Sequence, residues 1–202
     1  MDLARLILDD ATPIRAIAEQ LDRCSHEQRW GALSKLDREA QRRLYQKALS
    51  SVPLTFEDFV PSELPPLHAV HHVGRNTLPL PQSHRFFEKR FCRPNDSTSR
   101  LLGYNHAPSK WLIGPGYFVL MPTVGHAAWE VRGAMVVDYF QVPDGAVVAS
   151  WPPVIPNTQG LQKFVYQGTR DFMRRVCSHV SIGVAYKGEK CLDHYFVLCR
   201  EP

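Results

Sequence analysis

The end of the chain constrains the fold most. Ser178 to Tyr186 and Cys191 to Cys199 are two runs of β-branched, aromatic and small residues, separated by Lys187-Gly188-Glu189-Lys190. Strand-forming runs on either side of a glycine-bearing turn read as a β-hairpin. A two-residue loop pairs Lys187 with Lys190, and a four-residue loop pairs Tyr186 with Cys191. Both give one ladder, with Gly183 opposite His194, Ser181 opposite Phe196 and His179 opposite Leu198. Alternation then sorts the side chains onto two faces. One carries Val180, Ile182, Val184, Cys191, Asp193, Tyr195 and Val197. The other sets the small residues Ser181, Gly183 and Ala185 beside Phe196 and Leu198, with His179 and His194 among them.

The same period of two extends upstream. Gly114-Pro115-Gly116 punctuates the start of a strand over Tyr117 to Met121. Ala134 to Val142 is a second strand, and Pro143-Asp144-Gly145 is a turn that should return Ala146 to Trp151 as its hairpin partner. Gly160 to Cys177 is ambiguous. The first 50 residues have a helical period instead. Thr12-Pro13 reads as an N-cap and first-turn pair ahead of Ile14, Ile17, Ala18 and Leu21. Ser25 and Gln28 form a capping box, and Asp37 to Leu49 holds a third helix with a basic face. Residues 51–84 are dense in proline, and Pro66 to Val73 would fit one short helix.

These textures define an α+β fold. A strongly curved antiparallel sheet, closing towards a barrel, occupies about residues 86–200. Residues 1–50 form a helical arm, 51–84 a connector apolar enough to pack on the sheet, and 85–202 the β domain, all as one cooperative unit. Apolar residues make up 44% of the chain and charged residues 22%, which supports a packed core and excludes disorder. No signal peptide or spanning segment is visible, and the five cysteines are scattered without a C-x-x-C pair. The expectation is a cytoplasmic protein without a membrane partner, metal or cofactor. A net charge of +4 is mild. The run Arg85 to Arg93 interleaves bases and aromatics, but no nucleic-acid motif surrounds it, so nucleic acid is not an expected partner.

Three functions fit. A small-residue strand face beside Phe196 and Leu198 leaves room for a small, partly apolar ligand bound without catalysis. Its contacts would be His179, Ser181, Gly183, His194 and Phe196, joined by Tyr104, Asn105 and His106 from the loop before Gly114. An acid–base enzyme is the alternative. It would use Asp138, a carboxylate in the middle of an apolar strand, with a histidine such as His106. A protein-interaction module is the third, using the basic face of the third helix or the Phe86 to Arg93 segment. His68, His71 and His72 form the densest histidine cluster; on a helix, His68 and His72 would be neighbours one turn apart.

Overall fold

The computed structural model describes residues 2–107 and 113–202. Eight antiparallel strands close into a barrel in sequence order: β1 (Val70–Asn76), β2 (Phe86–Cys92), β3 (Leu101–His106), β4 (Tyr117–Pro122), β5 (Met135–Asp138), β6 (Thr169–Cys177), β7 (Val180–Lys187) and β8 (Lys190–Arg200). β8 pairs back onto β1. Closure leaves the sheet without an open edge. The barrel therefore begins inside the expected connector: Val70 to Asn76 is a strand, not the end of a short helix. The β-branched Val70 and Val73 and the pairing partners on both sides outweigh any local helical preference.

Helices α2 (Ile14–Asp22), α3 (His26–Leu33) and α4 (Arg38–Lys47) pack on the outside of β6, β7 and β8, and α1 (Leu3–Leu8) packs on α4 and α2. The Ser25–Gln28 capping box forms, whereas the Thr12 hydroxyl donates to Asp9 and α2 starts at Pro13 without a side-chain cap. Ile17, Leu21, Leu33 and Leu44 are fully buried against Val180, Ile182, Val184, Tyr195 and Val197. Each such side chain contributes about 1.5–3 kcal/mol by leaving water. The bulky face of the last hairpin is thus the helix-covered outer face, and its small-residue face looks into the barrel.

The faces of that hairpin are as expected, but its pairing is shifted by two. Tyr186 faces Cys191, whereas Val184 faces Tyr195, so Leu192, Asp193 and His194 together oppose Ala185. Asp193 sits at φ 55°, the left-handed bend of this bulge. An even shift preserves the alternation, and it moves Phe196 opposite Gly183 and Leu198 opposite Ser181. The expected hairpin between Ala134–Val142 and Ala146–Trp151 does not form. β5 stops at Asp138, and the chain from there to β6 crosses one end of the barrel with a single helical turn at Gln162–Val165. Three prolines at 152, 153 and 156 remove the donors a ladder would need.

Three inward glycines each face a phenylalanine on the neighbouring strand: Gly74 with Phe87, Gly103 with Phe118, and Gly183 with Phe196. Each ring lies over its own glycine, where a Cβ would strike it. A barrel this narrow is filled by its own side chains, and missing side chains on one strand make room for rings from the next. The space above Gly183 is therefore taken by Phe196 and the Met173 thioether, not left open.

Residues 54–60 stop one end of the barrel, with Leu54, Phe59 and Val60 joining Val70, Phe91, Leu101 and Leu198 in the interior core. Four basic side chains from the strands and their ends hold this stopper. His72 Nε2 donates to the Phe59 carbonyl (3.0 Å), Arg93 to Val60 O (2.9 Å), Arg200 to Glu57 O (2.9 Å), and Arg175 pairs with Asp58 (2.5 Å). At the other end Tyr166 stacks on Tyr139 at 5.1 Å, and Gln162 accepts from the Gly116 amide.

Gly183→Ala should cost about 1–3 kcal/mol of stability by overpacking, and adding Phe196→Leu should recover part of the loss in urea denaturation. Burial pushes the His72 imidazole from its ordinary 6.5 down to about 3. Between those values the unfolded chain carries a proton that the folded chain does not, so stability rises with pH through that window. The contribution is complete above about 6.5 and is lost as pH falls towards 3. His72→Gln keeps a donor for Phe59 O, and should flatten the stability slope between pH 4 and 6 by about 1.4 kcal/mol per pH unit.

Candidate functional site

Among the described residues, a hydrogen-bonded polar cluster inside the barrel centres on Lys89. Lys89 lies between Phe87 and Phe91 on the inward side of β2, and its side chain is 2% exposed. Its ammonium donates to Asn105 Oδ1 (2.9 Å) and to the Tyr139 hydroxyl, and it pairs with Asp171 Oδ2 at 3.2 Å. The Tyr139 hydroxyl in turn reaches Asp171 at 3.2 Å, and Asn105 Nδ2 donates to Gly116 O at 3.0 Å. The rings of Phe118, Tyr139 and Phe196 stand 5.0 Å from the ammonium and that of Phe87 5.8 Å. Three of these four are the rings laid over the glycines. Burial drives the lysine below its ordinary range and Asp171 above the ordinary carboxylate range, each opposing the other's shift. Burial also raises the Tyr139 phenol well above its ordinary value. The three ammonium donors meet three acceptors, so this cluster is a satisfied internal ion pair.

Alternation carries a sign of it. In Phe87-x-Lys89-x-Phe91, a lysine shares a face with two core phenylalanines. Asp171, its counter-charge, lies in the segment whose type the local pattern leaves open.

The residues singled out from sequence fall in three places. Asn105, Ser181, Gly183 and Phe196 point into the barrel, where Asn105 serves Lys89 and Phe196 covers Gly183. Tyr104 and His106 point outwards. Tyr104 packs on Tyr117 and Trp151 and accepts from Arg90, while His106 lines a shallow cleft with Trp30 and Phe86. His194 sits at the β8 bulge. His179 lies beside Arg200 (3.4 Å) in a cleft of about 490 Å³ that also receives His68 and His71, faced by Glu63 and Glu201. His72 points inwards, so strand geometry separates it from its histidine neighbours. Among the described residues no group of three His, Cys, Asp or Glu side chains is arranged to hold a metal ion.

Asp138 is on the outer side of β5. Its carboxylate accepts from the Phe140 amide (3.1 Å) and Gln141 (3.0 Å), and pairs with Arg170 (3.2 Å). None of these three partners is a histidine. The basic face of α4 is also spoken for. Arg38 pairs with Asp193, Arg42 with Glu39 and Arg43 with Asp10, and Lys47 donates to backbone carbonyls of Asp9 and Thr12. No described helix is long and apolar enough to cross a membrane.

A second cavity, close in volume to the cleft at His179 but lined mainly by apolar side chains, was not legible in any motif. It is a groove of about 510 Å³ at the stoppered end of the barrel. Its walls come from residues 48–56 after α4, from the β4–β5 connection, and from Arg174 and Arg175 on β6. Leu54 and Met135 form its floor as members of the interior core, with Phe56 and Ala134 packed on them. The lip is apolar and open to water: Leu49, Val52 and Val124 are 66%, 71% and 76% exposed. Of the residues lining the groove, Ser51 and Arg175 each have a polar atom, Oγ and Nε, that is shut off from solvent and has no hydrogen-bond partner among the described residues. An unmet buried donor costs about 1–3 kcal/mol. The Arg174 guanidinium donates to Tyr45 O (2.8 Å) and Val131 O (2.9 Å) and has no carboxylate partner among the described residues.

No protein-family model matches this chain, and no curated protein or solved structure matches it significantly.

Removing one partner of the internal ion pair should be costly. Lys89→Met and Asp171→Asn should each lose about 3–5 kcal/mol in equilibrium unfolding, since each strands a buried charge. The double variant Lys89→Met/Asp171→Leu should lose clearly less than the sum, which a double-mutant cycle measures directly.

Proposed function

We propose that this protein binds a small, largely apolar molecule in the groove at the stoppered end of the barrel. The observation that carries this reading is a cavity of about 510 Å³ whose floor is core side chains and whose lip is exposed aliphatic surface. Sites for small molecules commonly enclose about 300–1,000 Å³, with apolar walls and a few polar groups. Leu49, Val52 and Val124 clustered at one opening expose apolar surface that a ligand would remove from water. Such a site needs no catalytic group, and the barrel supplies the rigid wall against which the more irregular stopper is set.

The barrel interior supports this placement by being occupied. Phe87, Phe118 and Phe196 fill it around Lys89, so the ligand reading moves from the inner face of the last hairpin to the groove outside the stopper.

Nile red, a neutral apolar dye, tests the site. It should bind the wild-type protein saturably, with enhanced fluorescence. Ala134→Trp, which fills the groove from a partly buried position on its floor, should weaken binding about tenfold, or roughly 1.4 kcal/mol, with an unchanged circular-dichroism spectrum. Equal binding by a folded Ala134→Trp variant would remove the groove as the site.

A further inference from the structure

We infer that Lys89 and Asn105 join covalently inside the barrel, the lysine amine displacing the asparagine amide nitrogen to leave an isopeptide bond between β2 and β3. The inference is independent of the groove and concerns a cluster that ligand binding there does not use. Lys89 and Asn105 are direct cross-strand partners, and their side chains meet on the inner face. Lys89 Nζ lies 2.9 Å from Asn105 Oδ1, which sets the amine against the side-chain carbonyl. The amide is held from its other side, where Nδ2 donates to Gly116 O at 3.0 Å and fixes its plane. The Tyr139 hydroxyl reaches Asn105 Oδ1 at 3.3 Å and Asp171 Oδ2 at 3.2 Å, so it bridges the carbonyl to the carboxylate. Asp171 Oδ2 lies 3.2 Å from Nζ. A nucleophile, an electrophile, a base and a donor to the carbonyl oxygen therefore meet around one point.

The surroundings favour the reactive forms. An ammonium has no lone pair to attack with, so the lysine must first lose a proton. Burial pushes Lys89 down and Asp171 up, which moves the ion pair towards a neutral amine beside a neutral acid. The rings of Phe87, Phe118, Tyr139 and Phe196 stand round the nitrogen and keep water from solvating its charge. Asp171 takes one proton from the ammonium, and the freed Nζ lone pair attacks Asn105 Cγ while the Tyr139 hydroxyl hydrogen-bonds the carbonyl oxygen. The Nζ–Cγ bond forms, the Cγ–Nδ2 bond breaks, and a second Nζ proton leaves with Nδ2 as ammonia. Asp171 keeps the proton it took. Nothing is oxidised or reduced, and no co-reactant enters. Amines attack carboxamides slowly in dilute solution, but groups held in contact react at effective concentrations on the order of 10⁵–10⁸ M. Asp171 is itself a carbonyl within reach of Nζ, yet it is the carboxylate that serves as base, and attack on Asn105 leaves it free for that role.

Mass spectrometry of the full chain, purified and then denatured, tests the bond. The wild-type protein should be lighter than its unmodified chain by one ammonia, about 17 Da. A tryptic digest should show no cleavage after Lys89, and tandem spectra should find the Lys89 and Asn105 peptides as one linked species. Lys89→Met and Asn105→Ala remove the two reacting groups, and each should have the mass of its own unmodified chain. Asp171→Asn removes the base while leaving both reacting groups in place, and should also have its unmodified mass. The wild-type measurement decides without the variants, so poor folding of any of them leaves the test intact. A wild-type protein at its unmodified mass, with ordinary cleavage after Lys89, overturns the inference. A loss of about 18 Da with a Lys89–Asp171 link overturns the choice of Asn105 as electrophile. Full loss of ammonia from a folded Asp171→Asn protein overturns the role given to Asp171.

Discussion

Lys89 reaches from β2 to Asp171 on β6, four strands away in a ring of eight, so their ion pair spans the diameter of the barrel. Everything inside is arranged around that crossing. Asn105 from β3 and Tyr139 from the end of β5 complete the ammonium's acceptors, and three phenylalanines close round it. Those rings fit because Gly74, Gly103 and Gly183 leave their own positions empty. A buried ion pair of this kind is a weak source of net stability, because desolvation offsets the attraction. Its larger effect is on register. A slip of β2 by one residue would turn Lys89 to the outer face and leave Asp171 buried alone, so the pair selects against every odd slip of this strand.

The stopper and the groove are two sides of one arrangement. Glu57 to Val60 are held from the barrel end by Arg93, Arg175, Arg200 and His72, mostly through backbone carbonyls. Main-chain anchoring fixes the path of the segment without dictating its outward side chains. Residues 49–56 can therefore present an apolar lip while Leu54 is drawn inwards. The groove exists because this segment meets the β4–β5 connection at the rim without sealing against it.

Much of the architecture was legible in local pattern. The alternation of Val180, Ile182 and Val184 against Ser181, Gly183 and Ala185 separates the two faces of the last hairpin, and Ser25 with Gln28 marks a helix start. What the pattern does not carry is length and partnership. The Asp193 bulge shifts the ladder by two residues and leaves no trace in the alternation, because an even shift conserves it. His71 and His72 resemble a helical pair until β2 and β8 supply hydrogen bonds on both sides of β1. The small face beside Phe196 reads as open volume because sequence cannot show that the ring of Phe196 folds back over Gly183. The groove walls are contributed by three segments distant in sequence, and no spacing rule joins residues 48–56 to Arg174 and Arg175.

The seam between β1 and β8 has a consequence for how the chain reaches this shape. Residues 72–76 pair with 196–200, across roughly 120 residues of intervening chain, so sealing the ring is among the longest-range events in the molecule. A nascent chain lacking β8 leaves β1 and β7 as raw sheet borders, each offering unpaired amides and carbonyls to any neighbour. Docking of β8 retires both borders in one step. The helices that cover β7 and β8 precede them in the chain and lie over the region where that step occurs. The arm is therefore positioned to act as a built-in escort for the last strand, shielding the apolar backs of the closing pair from self-association during synthesis.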